Sequence, residues 1–185
     1  MMGRMSKTTV LFILSLGLIT VDACRKKYYA TAEDMAEYGW VLFETQEYLA
    51  SNAWFLDAIN EDKDWKDGYN GLGWTYAKLM VLDSSIAHFT TGLEKTQNQW
   101  NPVDVQSEIL AGLTFANHAL GKDAKTIQYG TAFLDSTVKP LTLGWTFTHD
   151  SLLNYLDVRI TMAASYYALG KFDSTILQVT VILDS

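Results

Sequence analysis

Few side chains in this 185-residue chain are of types that do chemistry, and their spacing excludes most reactions. His88, His118 and His149 lie far apart, with no HExxH and no ligand pair at helical spacing, so no metal site is expected. The single cysteine, Cys24, follows an apolar run near the amino end, which leaves no candidate for a Cys nucleophile, an internal disulfide or a multi-Cys metal knuckle. There is no GxSxG elbow and no Walker loop. Gly68, Gly71 and Gly73 share a helical face with Tyr69 and Leu72, and no strand precedes them as a phosphate loop would require. The stretch Glu61-Asp62-Lys63-Asp64-Trp65-Lys66-Asp67-Gly68 has its acids misplaced for a calcium loop. It reads as a solvated turn whose acids favour the start of the next helix. Glu33-Asp34 and Glu44 with Glu47 read as solvated helix faces. No catalytic residue and no cofactor is expected, and the chain is read as a non-enzyme.

Composition narrows the alternatives. With 14 Lys+Arg against 21 Asp+Glu, the formal charge is −7, and nothing supplies the clustered cations that nucleic acid needs. Two prolines, 49% hydrophobic and 13% aromatic residues describe a chain that folds around a sizeable core.

The elements begin with a segment set apart from the fold. Arg4 and Lys7 precede the apolar run Val10–Val21, twelve residues against the roughly 20 that span a bilayer, and Asp22-Ala23-Cys24 and Arg25-Lys26-Lys27 follow. Residues 1–23 therefore read as an export signal and 24–32 as a tether. Val21-Asp22-Ala23-Cys24 resembles a bacterial lipobox, departing from it at Asp22. The resemblance implies lipid attachment at Cys24 and a place on a membrane surface, in the periplasm or at the outer membrane; the alternative is simple secretion after Ala23. Acyl chains contribute about 0.8 kcal/mol per buried CH₂, enough for firm anchoring by several of them.

Residues 33–185 repeat. Gly39-Trp40-Val41-Leu42 matches Gly73-Trp74-Thr75-Tyr76 at an offset of 34, which also carries Ser51 to Ser85, Phe55 to Phe89, Ala58 to Gly92 and Ile59 to Leu93. Ala119-Leu120-Gly121-Lys122 recurs as Ala168-Leu169-Gly170-Lys171, and Thr126-Ile127 as Thr175-Ile176. Within a copy, Tyr69, Leu72, Gly73, Tyr76 and Leu79 fall on one helical face. Asp83 or Ser84 then offers an N-cap, and Ile86, Phe89 and Leu93 stripe a returning helix. No stretch alternates with period two strongly enough to suggest a sheet.

These residues resemble a tetratricopeptide-repeat (TPR) protein: Tyr69, Leu72-Gly73 and Tyr76 on a first helix, then Ser85, Phe89 and Gly92 on a second. The resemblance implies an all-α solenoid of about four antiparallel helix pairs. Gly39, Phe55, Ala58, Leu72, Gly73, Tyr76, Ser85, Phe89, Gly92, Gly121, Ile127, Gly170 and Ile176 are its repeat-packing positions. The third copy (about 106–137) departs from the pattern, with Gly130 and Phe133 where Phe and a small residue are expected; the fourth covers about 155–185. Because the chain stops inside that copy's second helix, it is read as a piece of a longer array, the alternative being an end that docks on something.

In such arrays the first helices line a concave surface, and the residue after the packing glycine points into it. That places Trp40, Trp74 and Phe115 there, with Phe43, Lys78, His118 and Tyr167 one turn on and Asn70 beside them. Of the Asn/Lys/Arg set that clamps chaperone tails only Asn70 and Lys78 remain, so that specialised role is not expected. The resemblance implies a scaffold binding a protein or peptide through aromatic anchors. The alternative is a glycan-binding lipoprotein whose exposed Trp residues stack on sugar rings. Two insertions, around Trp100 and from Pro140 to Asp150 with Trp145, are long enough to be functional loops or to be spacers tucked over a helix end.

Overall fold

The computed structural model describes residues 29–96, 105–135 and 144–185. Residues 1–23, read above as an export signal, Cys24, Trp100 and Pro140 lie outside the described residues. Within them the helices are α1 (Ala32–Glu44), α2 (Tyr48–Glu61), α3 (Lys66–Lys78), α4 (Leu82–Glu94), α5 (Val105–Ala119), α6 (Asp123–Leu134), α7 (Tyr155–Ala168) and α8 (Phe172–Leu183). Consecutive helices form antiparallel pairs, and each pair packs on the next, which makes the all-α solenoid that the repeat period implies. None of these helices is long and apolar enough to cross a membrane. Thr31 caps α1 in a reciprocal box with Asp34, so the first helix starts one residue before the boundary drawn from the sequence.

One turn design joins every pair. Gln46 (φ 65°), Met80 (61°), Gly121 (67°) and Gly170 (70°) adopt the left-handed conformation at equivalent places. The next N–H then donates to the carbonyl five residues back: Glu47 to Leu42 (2.8 Å), and Val81 to Tyr76, Lys122 to Asn117 and Lys171 to Tyr166 (each 2.9 Å). This is the long bond of a Schellman motif, which satisfies carbonyls that the helix end leaves open. The turn also fixes where the second helix begins. Val81 is thus the N-cap of α4, and Asp83 sits in its first turn instead of capping it. Gly121 and Gly170 likewise serve the turn and not the packing, since a Cβ there would meet nothing within 4 Å.

Small residues and rings hold the pairs together. Ser51 Oγ donates to the Gly39 carbonyl (2.7 Å), Ser85 Oγ to Gly73 (2.8 Å), and Thr175 Oγ1 to Ala163 (3.5 Å), always twelve residues back. The Phe55 ring seats between Gly39 and Gly71, and the Phe89 ring between Gly73 and Gly112; both rings are wholly buried, as are Ala58 and Leu72. A Cβ at Gly71, Gly73 or Gly112 would overlap a ring. The third junction reverses the roles. Gly130 on the second helix receives the thioether of Met162 from α7, while Phe133 turns edge-on to Trp145 at 5.0 Å. That reversal accounts for the departure of the third copy from the pattern. Tyr76 is half-buried and stacks on His88 at 5.3 Å, and Ile127 is half-buried. Ile176 is 63% exposed, because no described element covers that face of α8, so it is not a packing residue here.

The first helices α1, α3, α5 and α7 also pack on one another in order, forming an inner wall with the second helices outside. Against the all-helical expectation, a small antiparallel hairpin precedes α7: β1 (Thr146–Phe147) and β2 (Asp150–Asn154), with Phe147 paired to Asp150 and Thr146 to Asn154. Asn154 then caps α7 in a box with Asp157.

Candidate functional site

Gly39 and Gly73 give their faces to Phe55 and Phe89, so the next residues, about 100° further round the helix, turn to the inner wall. Trp40 and Trp74 stand there with Phe43, and all three are buried. Phe55 (4.8 Å from Trp40), Phe89 (5.7 Å from Trp74) and Tyr48 (5.4 Å from Phe43) pack on them within the array, and the hairpin completes their burial. The Phe147 ring stacks on Trp74 at 4.3 Å and meets Trp40 (6.0 Å) and Phe43 (6.1 Å) edge-on. At the hairpin tip, the His149 imidazole lies parallel to the Trp40 indole at 3.7 Å. Trp145, at the base, contacts Phe147 at 6.5 Å. Phe115 is half-buried beside Trp74, with ring centres 6.3 Å apart.

Polar contacts tie the hairpin to three first helices. His149 Nδ1 lies 3.0 Å from Glu44 Oε1 on α1; the carboxylate can only accept, so that nitrogen carries the hydrogen. Lys78 of α3 pairs with Asp150 at 3.4 Å and lies over the Phe43 ring. The Thr148 N–H reaches Glu108 Oε1 of α5 at 3.4 Å.

Beneath the hairpin sits a carboxylate cluster. Trp40 Nε1 donates to Asp67 Oδ2 (2.8 Å), while Asn70 Nδ2 donates to both Asp67 Oδ1 (3.2 Å) and Glu108 Oε2 (2.7 Å). Burial, reinforced by the charge of Asp67, pushes the Glu108 carboxyl up to about 7, against the pull of the Asn70 and Thr148 hydrogen bonds. Burial also raises Asp67, opposed by its bonds to Trp40 and Asn70 and by His149. Burial lowers His149, opposed by its contact with Glu44. An acid near neutrality beside a second acid can hold or exchange a proton, but Asn70 and the hairpin occupy its oxygens. Its evident role is to bind the inner wall to the hairpin. Among the described residues no group of His, Cys, Asp or Glu could hold a metal ion.

Six of the eight groove residues expected from the sequence come together here: Trp40, Phe43, Asn70, Trp74, Lys78 and Phe115. His118 and Tyr167 do not. His118 Nδ1 lies 3.0 Å from Ser165 Oγ, between α5 and α7, and so joins two repeats. Tyr167 is 66% exposed and meets Phe172 across its own turn at 5.6 Å; Tyr166 is the residue that packs inward. Asp67, expected from the sequence to be a solvated turn acid, is half-buried in this cluster, and Glu108 carries no expectation from the sequence. The signals were an acid amid the apolar Ile109-Leu110-Ala111 run and an Asp/Asn pair three apart ahead of Trp74. In the hairpin, Trp145, Phe147 and His149 alternate with Thr146 and Thr148, a period-two pattern over five residues.

A helix-pair solenoid with small-residue and ring packing of this kind is the TPR architecture. Among solved structures, YrrB, described as a TPR protein with an unusual peptide-binding site, superposes with a TM-score of 0.63 at 12% identity, over 83% of this chain and 68% of that one. Two MamA structures give TM-scores of 0.61 and 0.60 at 14% and 15% identity, each over 92% of this chain and 86% and 85% of theirs. The likeness is one of fold. No protein-family model matches the sequence, and no curated protein does.

Proposed function

We propose that this chain is a non-catalytic interaction scaffold of the bacterial cell envelope that binds a protein or peptide on the inner wall of its TPR-like array. The observation that carries the reading is the seated hairpin: an extended aromatic segment already complements Trp40, Trp74 and Phe43, so the wall has the shape and chemistry to hold one. Two wall atoms, Asn70 Oδ1 and Trp74 Nε1, are buried with no hydrogen-bond partner among the described residues. An acceptor and a donor one helical turn apart are what a peptide backbone can satisfy. The peptide-binding site named for YrrB, on the same fold, is in keeping with this. Export and a lipid at Cys24 belong to the same proposal and rest on the amino-terminal sequence.

A pull-down from envelope extract tests it, comparing the full chain with a Phe115→Ala/Lys78→Glu variant that alters the rim and leaves the Trp40 and Trp74 indoles in place. Loss of a specific partner from the variant is expected; equal recovery removes the groove. For the anchor, Cys24→Ser is expected to move the protein from membrane to soluble fractions, and persistence in the membrane refutes it.

A further inference from the structure

The hairpin is bonded to the wall in a way that core elements of the array are not. Within the array, rings seat between glycines that a Cβ would crowd. The hairpin buries Phe147 as fully (1% exposed), but that ring is held by stacking on the wall. The polar contacts beside it are one long N–H contact at 3.4 Å to Glu108 and a partly exposed ion pair at 3.4 Å to Lys78. Exposed ion pairs of this kind are worth little. Its remaining polar anchor is the His149–Glu44 contact (3.0 Å), and Glu44 is itself exposed. Its outer face is in solvent, with Thr146 and Thr148 exposed and Leu152 87% so. It lies across α1, α3 and α5 at once, as a segment from another chain would.

We infer that residues 145–150 are the resident occupant of the inner wall, and that the partner which takes their place is a hairpin tip or extended segment carrying aromatic rings two residues apart followed by an acid. The inference rests on the groove reading above and specifies its ligand. Phe147 marks the central ring site between Trp74 and Trp40, and His149 the flat site on Trp40. Asp150 marks an acid site at Lys78. Because the resident segment is tethered, its effective concentration at the wall is high, and an incoming segment must compete with it. Loosening the resident therefore raises affinity for a segment supplied from outside.

The probe is a fluorescently labelled synthetic peptide of residues 144–155, titrated by anisotropy against the full chain, a Phe147→Ala/His149→Ala variant and an Asp150→Lys variant. At least tenfold tighter binding to the double variant than to the unmodified chain is expected, with Asp150→Lys in between. If all three bind the peptide equally, or none does while circular dichroism shows them folded, the hairpin is a fixed part of the core and the inference is wrong. Should the double variant fail to fold, Asp150→Lys decides: it keeps the Phe147 ring, and no gain in affinity over the unmodified chain overturns the inference. A partner that depends on Phe115 and Lys78 in the pull-down, with no exchange of this peptide, leaves the groove standing and removes only the resident-segment reading.

Discussion

Replacing Glu108 by Gln tests the cluster beneath the hairpin. The folded protein holds this carboxyl at about 7 against an ordinary value of 4.5, because it is buried and Asp67 stands close by. An acid raised on folding makes the folded state bind the extra proton. Stability is therefore fullest below the unfolded value and falls as pH rises through the folded one, here from about 4.5 to 7. At about 1.4 kcal/mol per pKa unit, the full loss is about 3–4 kcal/mol, roughly three quarters of it between pH 5 and 8. Gln has the shape and neutrality of the protonated acid, but both Glu108 oxygens accept, from Asn70 Nδ2 and the Thr148 N–H, so its amide keeps only one of those two bonds. At pH 5 the variant should be the less stable by about 1 kcal/mol, the worth of the hydrogen bond it loses. At pH 8 it should be the more stable by about 1–2 kcal/mol. Urea denaturation followed by tryptophan fluorescence at both pH values gives the difference with unchanged m. His149 and His88, which burial depresses, lose stability in the opposite sense as pH falls and largely cancel between the two proteins. A parent–variant difference that stays constant from pH 5 to 8 would refute the assignment, because Glu108 would then titrate as an ordinary carboxylate.

Two other substitutions test the packing and the turns. Gly73→Ala drives a methyl into the Phe89 ring and should cost about 2 kcal/mol, seen as a lowered thermal midpoint. Met80→Gly relieves a left-handed residue at φ 61° whose side chain is 73% exposed, and should raise stability by up to about 1 kcal/mol in the same melt. A midpoint that falls on that change would mean the Met80 side chain packs in a way its exposure denies.

The array was legible because its physics is local and repeated. Offsets of 34 placed Gly39 with Gly73, Phe55 with Phe89 and Ser51 with Ser85, and each pair does the same work in the structure. Four features escaped for different reasons. Cap preference pointed to Asp83, but the backbone of the preceding turn sets the helix start, and side-chain preference yields to it. Tyr167 holds the same turn position as Phe43, but its ring meets Phe172 and stays 66% exposed, where Phe147 covers Phe43. The carboxylate cluster draws Asp67 and Asn70 from α3 and Glu108 from α5, some forty residues on, so only the stacking of helices reveals it. The hairpin alternates for just five residues, too short a run to stand out in a chain that otherwise follows helical periodicity.

Stacked repeats ordinarily behave as a ladder, each rung sensing only its neighbours, so that ends fray while the middle holds. Here the contact between Glu44 and His149 spans 105 residues and fastens the first rung to the segment before the last. The ladder becomes a ring in connectivity. While the hairpin is seated the opening pair and the far end are held together and melting should be shared along the chain; once it is displaced, each end frays on its own. Folding, in turn, must wait for a long loop to close before that fastening is made.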